Sequence, residues 1–208
     1  MKFLTISFAL AALAAAPGFA GGPTVIADDT APAAAPADVA VHDWSGAYVG
    51  LSYGTAAGEV QFDPGSFSEL EDGTVAGAHA GYLFQRGAFV YGGEVAYGTI
   101  SDMLYPGFGA GSGVDRVLDL KAKAGYAANR ALFYGVVGYS QSTLYVDGGV
   151  WEMDGVSVGA GVDFAMTERV TLGLEYLSRD VSALPTGGGI NEANTTINTL
   201  SLRVGLSF

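Results

Sequence analysis

Two histidines are the residues best suited to acid–base chemistry, because an imidazole changes its charge near neutral pH. His42 ends a stretch rich in alanine and proline, and His79 lies in a segment of small and apolar residues. A hydrolytic site would need a histidine, a nucleophile and a carboxylate that converge in space. The sequence indicates no nucleophile and carboxylate that would converge on either histidine. We therefore expect each histidine to be solvated or to line the interior, and we predict that the protein is not an enzyme.

Carboxylates and glycines are the other residues that could bind a ligand. Acidic residues are frequent in two stretches between apolar segments, but their spacing does not match a calcium loop. They are Asp63, Glu69, Glu71 and Asp72 in the first stretch and Asp147, Glu152 and Asp154 in the second. A glycine run at 107–113 lacks the strand, helix and lysine of a phosphate-binding loop. We therefore expect no metal site and no cofactor, and we interpret these acids as solvated loop charges.

Composition restricts the fold class and the partners. The chain of 208 residues has a net charge of −12 and no basic cluster, which argues against nucleic acid as a partner. It has no cysteine, so disulfides and thiolate metal sites are excluded. Half of the residues are hydrophobic, and the 32 glycines, 11 tyrosines and 11 phenylalanines favour strands over helices. An all-β fold is the resulting prediction.

Three regions of different composition follow one another along the chain. Residues 1–20 contain Lys2, an apolar stretch and small residues near position 20, which is typical of a secretory signal peptide. Residues 21–43 are rich in alanine and proline and predict a semi-extended linker. In 44–208, glycine alternates with aromatic and aliphatic residues throughout, which predicts one domain.

The domain contains eight segments, each long enough to cross a bilayer as a tilted strand. They cover 44–60, 74–85, 87–99, 117–128, 131–146, 155–166, 169–180 and 195–208. Tight connections around Arg86-Gly87, Asn129-Arg130 and Thr167-Glu168 alternate with longer ones at 61–73, 100–116, 147–154 and 181–194. Short turns at one end and long loops at the other are typical of an outer-membrane barrel.

Ionisable residues fall on one face of these segments when the segments are read with a period of two. In the last segment, for example, Arg203 lies opposite the apolar face that ends with Phe208. The residues assigned to the charged face are Glu94, Asp119, Lys121, Lys123, Asp163, Glu175 and Arg203. The segment 131–146 contains no charge, so its orientation stays open; we favour Phe133, Val137 and Tyr139 on the outside.

We interpret the apolar face as facing lipid. The charged face also carries many glycines, as a crowded small lumen requires, whereas solvated faces rarely prefer glycine. Aromatic residues near the segment ends match the two interfacial girdles of a membrane barrel. A cation such as Lys121 would cost about 2–4 kcal/mol if it faced lipid at mid-depth. We therefore expect the ions to lie inside.

These features predict an eight-stranded antiparallel transmembrane β-barrel with short periplasmic turns and long external loops. No stretch after the signal has the roughly 18 uninterrupted apolar residues that a membrane-spanning helix needs, and in lipid a closed barrel satisfies the strand backbone. Eight strands enclose a lumen that side chains can fill, so we expect Glu94, Asp119, Asp163 and Glu175 to pair with Lys121, Lys123 and Arg203 as a polar plug. A soluble lipid-binding barrel is the alternative.

Several stretches resemble a known family. They are "WSGAYVGLSYG", "AGYLFQRGAFVYGGEVAYG", "LKAKAGYAANRALFYGVVGY", "VGAGVDFAMTERVTLGLEY" and the terminal "LRVGLSF". In this order they resemble the small outer-membrane β-barrel family of alphaproteobacterial surface antigens, which is similar in architecture to the OmpA membrane domain and the opacity proteins. The resemblance covers about residues 44 to 208. It implies an eight-stranded barrel inserted by the outer-membrane assembly machinery, with Phe208 as the assembly signal.

The expected function follows from this interpretation. We expect a non-enzymatic protein of the outer membrane of a Gram-negative bacterium, which contributes to membrane integrity and presents its loops at the surface. A narrow or gated porin-like pore is the alternative. The expected partners are outer-membrane lipid, including lipopolysaccharide, and the outer-membrane assembly machinery. Neither the oligomeric state nor an external ligand follows from the sequence.

Overall fold

The structure, a computed structural model, describes residues 41–63, 66–104, 113–146, 149–183 and 192–208. The predicted signal peptide and most of the predicted linker lie outside these residues, so their boundaries stay predictions. The strands within the described residues are β1 (Gly46–Asp63), β2 (Ser66–Glu69), β3 (Gly73–Arg86), β4 (Phe89–Ser101), β5 (Gly113–Ala128), β6 (Ala131–Val146), β7 (Gly149–Ala165), β8 (Val170–Ala183) and β9 (Glu192–Ser207). The described residues contain no helix that is long and apolar enough to cross a membrane.

Eight of these strands close into a barrel. Each long strand pairs antiparallel with its neighbour in the chain, and β1 also pairs with β9 from Tyr48 opposite Ser207 to Asp63 opposite Glu192. Closure pairs both edges of the sheet, as a barrel in lipid requires. The predicted eight-stranded antiparallel barrel is confirmed. The short strand β2, which was not predicted from the sequence, pairs with the end of β1 beyond Ala56, which is opposite Gly73, the first residue of β3.

The three tight turns lie at one end of the barrel, as predicted. Gly87, with φ of 61°, follows Arg86 and connects β3 to β4, where a side chain would be strained. Asn129, with φ of 55°, turns β5 into β6; asparagine tolerates this left-handed conformation. The third turn is held by Thr167, whose hydroxyl accepts the backbone N–H of Val170 at 2.9 Å.

The prediction of a long loop at 147–154 is wrong. β7 begins at Gly149, which is opposite Val146, so only 147–148 separate β6 from β7. Two of the acids in this stretch lie on the outward face of β7: Glu152 and Asp154 are exposed, and Met153 between them is fully buried, whereas Asp147 lies outside the described residues. The antiparallel pairing therefore continues beyond the apolar band, where Glu152 and Asp154 face water.

Sidedness in the membrane band matches the prediction. Apolar side chains that alternate along the strands are exposed on the outer surface, among them Leu120, Val137, Leu174 and Leu202. Phe133, Val137 and Tyr139 are exposed, which confirms the favoured orientation of β6. The aromatic residues near the strand ends are exposed as well: Tyr53, Tyr82, Phe84, Tyr97, Tyr126, Tyr139, Phe164 and Phe208.

The lumen is not polar throughout, and this departs from the expected plug. At the external end, apolar side chains fill it: Ala56, Val60, Leu70, Val75, Ile100, Met103, Val114, Val117, Met153, Val181 and Ile197. We call these residues the external core. A second set, the periplasmic core, comprises Trp44, Tyr48, Leu83, Val90, Ala127, Leu132, Tyr134, Val136, Ala165 and Leu177. The polarity of the two faces of the barrel wall is therefore reversed beyond the membrane band. There the outer face is mainly polar and the inner face is mainly apolar.

Candidate functional site

Ionic side chains from β4, β5, β8 and β9 meet in the lumen between the two cores. Lys121 Nζ lies 2.6 Å from Glu94 Oε1 and 2.7 Å from Glu175 Oε1. Arg203 pairs with Glu94 through both terminal nitrogens and lies 2.7 Å from Glu175 through Nη1. All four side chains are buried. They meet because inward positions on neighbouring strands lie side by side: Glu94 is directly opposite Lys121, and Glu175 is opposite Ser201.

Lys123 and Asp163 extend this group toward the periplasmic end. Lys123 Nζ lies 3.3 Å from Asp163 Oδ2 and 3.6 Å from Glu94 Oε2. It also sits 3.7 Å from the centre of the Tyr134 ring, within the range of a cation–π contact. The Tyr134 hydroxyl donates to Glu175 at 3.2 Å. We call Glu94, Lys121, Lys123, Asp163, Glu175 and Arg203 the lumenal ion network; its three cations balance its three carboxylates.

Asp119 belongs to a separate group, contrary to the expectation that it pairs with Lys121, Lys123 or Arg203. Its two carboxylate oxygens accept hydrogen bonds from Arg179 Nε at 2.9 Å and Nη2 at 2.7 Å. Ser140 donates to the same carboxylate at 2.6 Å, and Arg179 Nη1 donates to Thr199 at 3.0 Å. Arg179 was not among the residues predicted to face the lumen, although it lies on β8 with the same parity as Glu175.

Tyr48 and Tyr134, which were not predicted as lumen residues, lie beside the lumenal ion network. Glycines on the neighbouring strands leave room for their rings. The Tyr48 hydroxyl donates to Glu94 Oε2 at 2.7 Å. A Cβ atom at Gly81 would lie 2.6 Å from the Tyr48 hydroxyl, and one at Gly161 would collide with the Tyr134 ring. The glycines on the charged face are therefore required by close packing, as the sequence analysis supposed for a small lumen.

The histidines occupy structural positions. His79 is buried in the lumen, with its ring centre 6.2 Å from that of Tyr48. His42 is also buried, at the periplasmic mouth: its backbone N–H donates to Asn129 O at 2.9 Å, and its ring packs edge-on against Trp44. The expectation of a solvated or lumen-lining side chain thus holds for His79, whereas His42 is covered by the turn end of the barrel.

The segment at the mouth is held by further hydrogen bonds. Trp44 donates its backbone N–H to Gln85 Oε1 at 2.7 Å, and His42 Nδ1 lies 3.6 Å from Glu168 Oε2. The backbone N–H of Ser45 donates to Asp43 at 2.9 Å, and this bond lowers the pKa of the Asp43 carboxyl from its usual value. Residues 41–45 therefore close the periplasmic end of the barrel.

The charges of the lumenal ion network compensate one another inside the barrel. Every buried charge in it has an opposite charge within 4 Å, which offsets the loss of hydration. Breaking such a pair typically costs about 3–5 kcal/mol, because one charge then stays buried without a partner. The described residues contain no group of three or more potential metal ligands. What this geometry offers is a neutral, cross-linked filling of the barrel.

Comparison with known sequences identifies the family. Residues 6–208 match the family described as "Outer membrane protein beta-barrel domain". The chain belongs to this family. A 31 kDa outer-membrane immunogenic protein of Brucella melitensis is 27% identical over 222 residues, which cover 88% of this chain and 90% of the relative. A 25 kDa outer-membrane immunogenic protein of Brucella canis is 27% identical over 191 residues, covering 85% and 84%.

Among solved structures, Neisserial surface protein A is similar to the chain, with a TM-score of 0.49 and 17% identity over 79% of this chain and 98% of that one. Membership of the outer membrane protein beta-barrel domain family, together with the closed barrel, places the protein in the outer membrane of a Gram-negative bacterium. The three tight turns then lie in the periplasm, and the opposite end of the barrel lies outside the cell. The predicted family and location are confirmed.

Proposed function

We propose that the protein is a non-enzymatic structural protein of the outer membrane, which contributes to membrane integrity and presents its loops at the cell surface. One observation carries this proposal: the lumen is filled in three successive layers. Apolar residues at the periplasmic end, the ionic groups around Glu94 and Asp119, and the external core follow one another along the barrel axis. Surface presentation is supported by the two Brucella relatives, whose names describe immunogenic outer-membrane proteins.

The layers oppose conduction for different physical reasons. A hydrated ion would have to separate Glu94 from Arg203 and Lys121, which are all buried and paired. It would then have to enter the external core, where Val60, Met153 and Ile197 are fully buried beside the uncharged hydroxyls of Ser142 and Thr195. Transferring a charge into such surroundings is strongly unfavourable.

Planar-bilayer recording of the refolded protein tests the proposal. The expected result is a baseline without steps, while a general porin in the same bilayer gives its normal conductance. Sustained steps on the nanosiemens scale would contradict the proposal, provided that the same preparation shows the folded band on a heat-modifiability gel.

A narrow or gated pore is the second candidate, and a small polar cavity favours it. The cavity, of about 30 Å³, lies among side chains that include His79, Lys121, Arg179 and Ser201. That volume is large enough for a water molecule. A gated pore predicts brief, voltage-dependent steps that become longer in Arg203→Gln. Steps of unchanged duration in this variant would exclude the network as the gate.

The C-terminal strand supports a role in assembly. β9 presents Leu200, Leu202, Val204 and Leu206 outward, and Phe208 beyond it is 76% exposed. In our proposal this exposed aromatic residue is the signal that the outer-membrane assembly machinery reads. Phe208→Ala is expected to reduce the amount of folded protein in the outer membrane, whereas Phe164→Ala, the same change at another exposed aromatic residue on β7, is expected to preserve it. Equal losses would mean that only hydrophobic area matters.

A further inference from the structure

The basic side chains fall into two groups according to their counter-ions. Eight of the nine lysines and arginines lie in the described residues. Five of the eight have a carboxylate within 4.0 Å: Arg116, Lys121, Lys123, Arg179 and Arg203. The other three, Arg86, Arg130 and Arg169, have no such carboxylate among the residues that the structure describes. Their guanidinium groups are therefore available to an anion from outside this part of the chain.

These three arginines share one position in the fold: each lies at one of the three periplasmic turns. Arg86 is the last residue of β3, Arg130 follows Asn129 in the next turn, and Arg169 precedes β8. All three are exposed. Arg130 Nη2 donates to the Met166 carbonyl at 3.2 Å, so two of the turns are linked at this end.

Two acids, Glu168 and Asp43, lie at the same end of the barrel as these arginines. Glu168 is adjacent to Arg169 in the chain, but its carboxylate lies 3.6 Å from His42 Nδ1. Asp43 accepts the backbone N–H of Ser45. Neither carboxylate lies within 4.0 Å of Arg86, Arg130 or Arg169, so no acid among the described residues occupies the donors of these three guanidinium groups.

Exposed aromatic rings show how deep the arginines lie in the membrane. Phe84, Phe89, Tyr126 and Phe133 are exposed near this end of the strands, and Phe89 packs edge-on against Tyr126 with ring centres 5.8 Å apart. Such rings occupy the boundary between hydrocarbon and headgroups. Arg86 is two residues beyond Phe84, about 7 Å further along the strand. This distance brings its guanidinium to the level of the lipid phosphates.

We propose that Arg86, Arg130 and Arg169 form a binding rim for anionic phospholipid headgroups of the periplasmic leaflet. The guanidinium group suits this ligand, because its planar set of donors matches two phosphate oxygens. Each arginine close to an anionic membrane surface raises affinity about fivefold. The inference goes beyond the proposed function, and it holds whether or not the lumen conducts ions.

Peptidoglycan is another anionic polymer in the periplasm, but the observations favour phospholipid. The rim is continuous with the lipid-facing aromatic residues, and Arg86 is directly opposite Phe89 in the β3–β4 register. A ligand bound there would touch the membrane-facing side of the barrel. Binding to sacculi is therefore treated as the competing outcome of the test.

Native mass spectrometry of the folded full chain tests the proposal directly. The protein is released from detergent micelles that contain equimolar phosphatidylglycerol and phosphatidylcholine, and the retained lipids are counted. The test variant is R86Q/R130Q/R169Q. The matched control is R116Q, which makes the same change at an arginine that is paired with Asp115 on the external half. Each protein is also incubated with purified sacculi and sedimented, and its fold is checked by heat modifiability.

The expected result is a preference of the wild type for phosphatidylglycerol that falls at least tenfold in the triple variant and persists in R116Q. Added salt should weaken the preference, since it screens exposed charges. An unchanged preference in the triple variant would overturn the proposal, and so would a loss of sedimentation with sacculi while lipid preference is kept. If the triple variant does not fold, R86Q and R169Q are measured singly, with about a fivefold decrease expected for each.

Discussion

Glu94 and Asp119 each bury a carboxylate in the lumen, yet they belong to separate ionic groups. Glu94 is bound by Lys121, Lys123 and Arg203, while Asp119 is held by Arg179 and Ser140. The division follows from the inward positions of β5, which place Asp119, Lys121 and Lys123 at successive levels along the barrel. Each carboxylate therefore has its own set of donors.

The Asp119 group gives the first prediction. Asp119→Asn removes the charge that holds the buried Arg179 guanidinium, so the free energy of unfolding should fall by about 3 kcal/mol. Asp180→Asn is the matched control: Asp180 is exposed and accepts a hydrogen bond from Thr196, so a change within about 1 kcal/mol is expected. Urea unfolding in phospholipid vesicles, followed by tryptophan fluorescence, measures both. Equal losses of stability in the two variants would mean that the Arg179 guanidinium is hydrated in the folded protein.

At this scale, the sequence predicts which side chains face inward but not all of their partners. Period-two reading placed seven ions in the lumen, and Arg179 could have been found by the same rule, since Glu175 is four residues away on β8. The contacts of Tyr48 and Tyr134 could not be predicted in this way. They depend on how far a side chain reaches across the lumen and on the space left by Gly81 and Gly161.

The strand β9 passes through two environments, and its outward residues change accordingly. Leu200 to Leu206 present apolar side chains in the membrane band, whereas Asn194, Thr196 and Asn198 precede them on the same face. Inward, the order is reversed: Arg203 joins the lumenal ion network, and Ile197 lies in the external core. The outward face of β9 thus marks the external limit of the apolar band. Its inward face changes from ionic to apolar at the same level.

The outward face of β9 gives the second prediction. Leu202→Arg puts a cation against acyl chains and should destabilise the barrel by about 2–4 kcal/mol. Asn194→Arg introduces the same side chain on the same face beyond the band, where water solvates it, and should have little effect. Unfolding in vesicles measures both values. A cost at Asn194 as large as that at Leu202 would shift the membrane boundary outward.

The inward face of β9 gives the third prediction. Ile197 is fully buried, so Ile197→Ala leaves a cavity in the external core and should cost about 2–5 kcal/mol. Asn194→Ala, at an exposed position three residues earlier, should change the stability by no more than about 0.5 kcal/mol. The same unfolding assay applies. A negligible cost for Ile197→Ala would indicate that water fills this end of the lumen.

For the elements, the sequence predicts the strands that cross the membrane better than their extensions outside it. The tight turns at Gly87 and Asn129 were predicted because short polar connections separate alternating segments. The first residues of β7 were misassigned, because Glu152 and Asp154 suggest a loop when only a membrane-facing surface is considered. Outside the membrane, an outward carboxylate is compatible with a strand, and Met153 between them continues the inward alternation.

For the whole molecule, the barrel combines two kinds of folding pattern in one wall. Within the membrane band the apolar residues face outward and the charges are inside, as lipid requires. Beyond the band the external core resembles the interior of a soluble protein, with polar side chains facing water. This arrangement allows the barrel to project beyond the bilayer while both ends of its lumen are filled, which is the basis of the proposed structural function.

The central claim is the sidedness of the wall, and spin-label accessibility along β9 tests it most directly. The chain has no cysteine, so single cysteine substitutions can be labelled at outward positions 194, 196, 198, 200, 202, 204 and 206 of the protein folded in vesicles. We expect collisions with oxygen to dominate at 200–206, and collisions with a water-soluble nickel complex to dominate at 194–198. Nickel accessibility throughout 200–206, or labels that neither reagent reaches, would contradict the account.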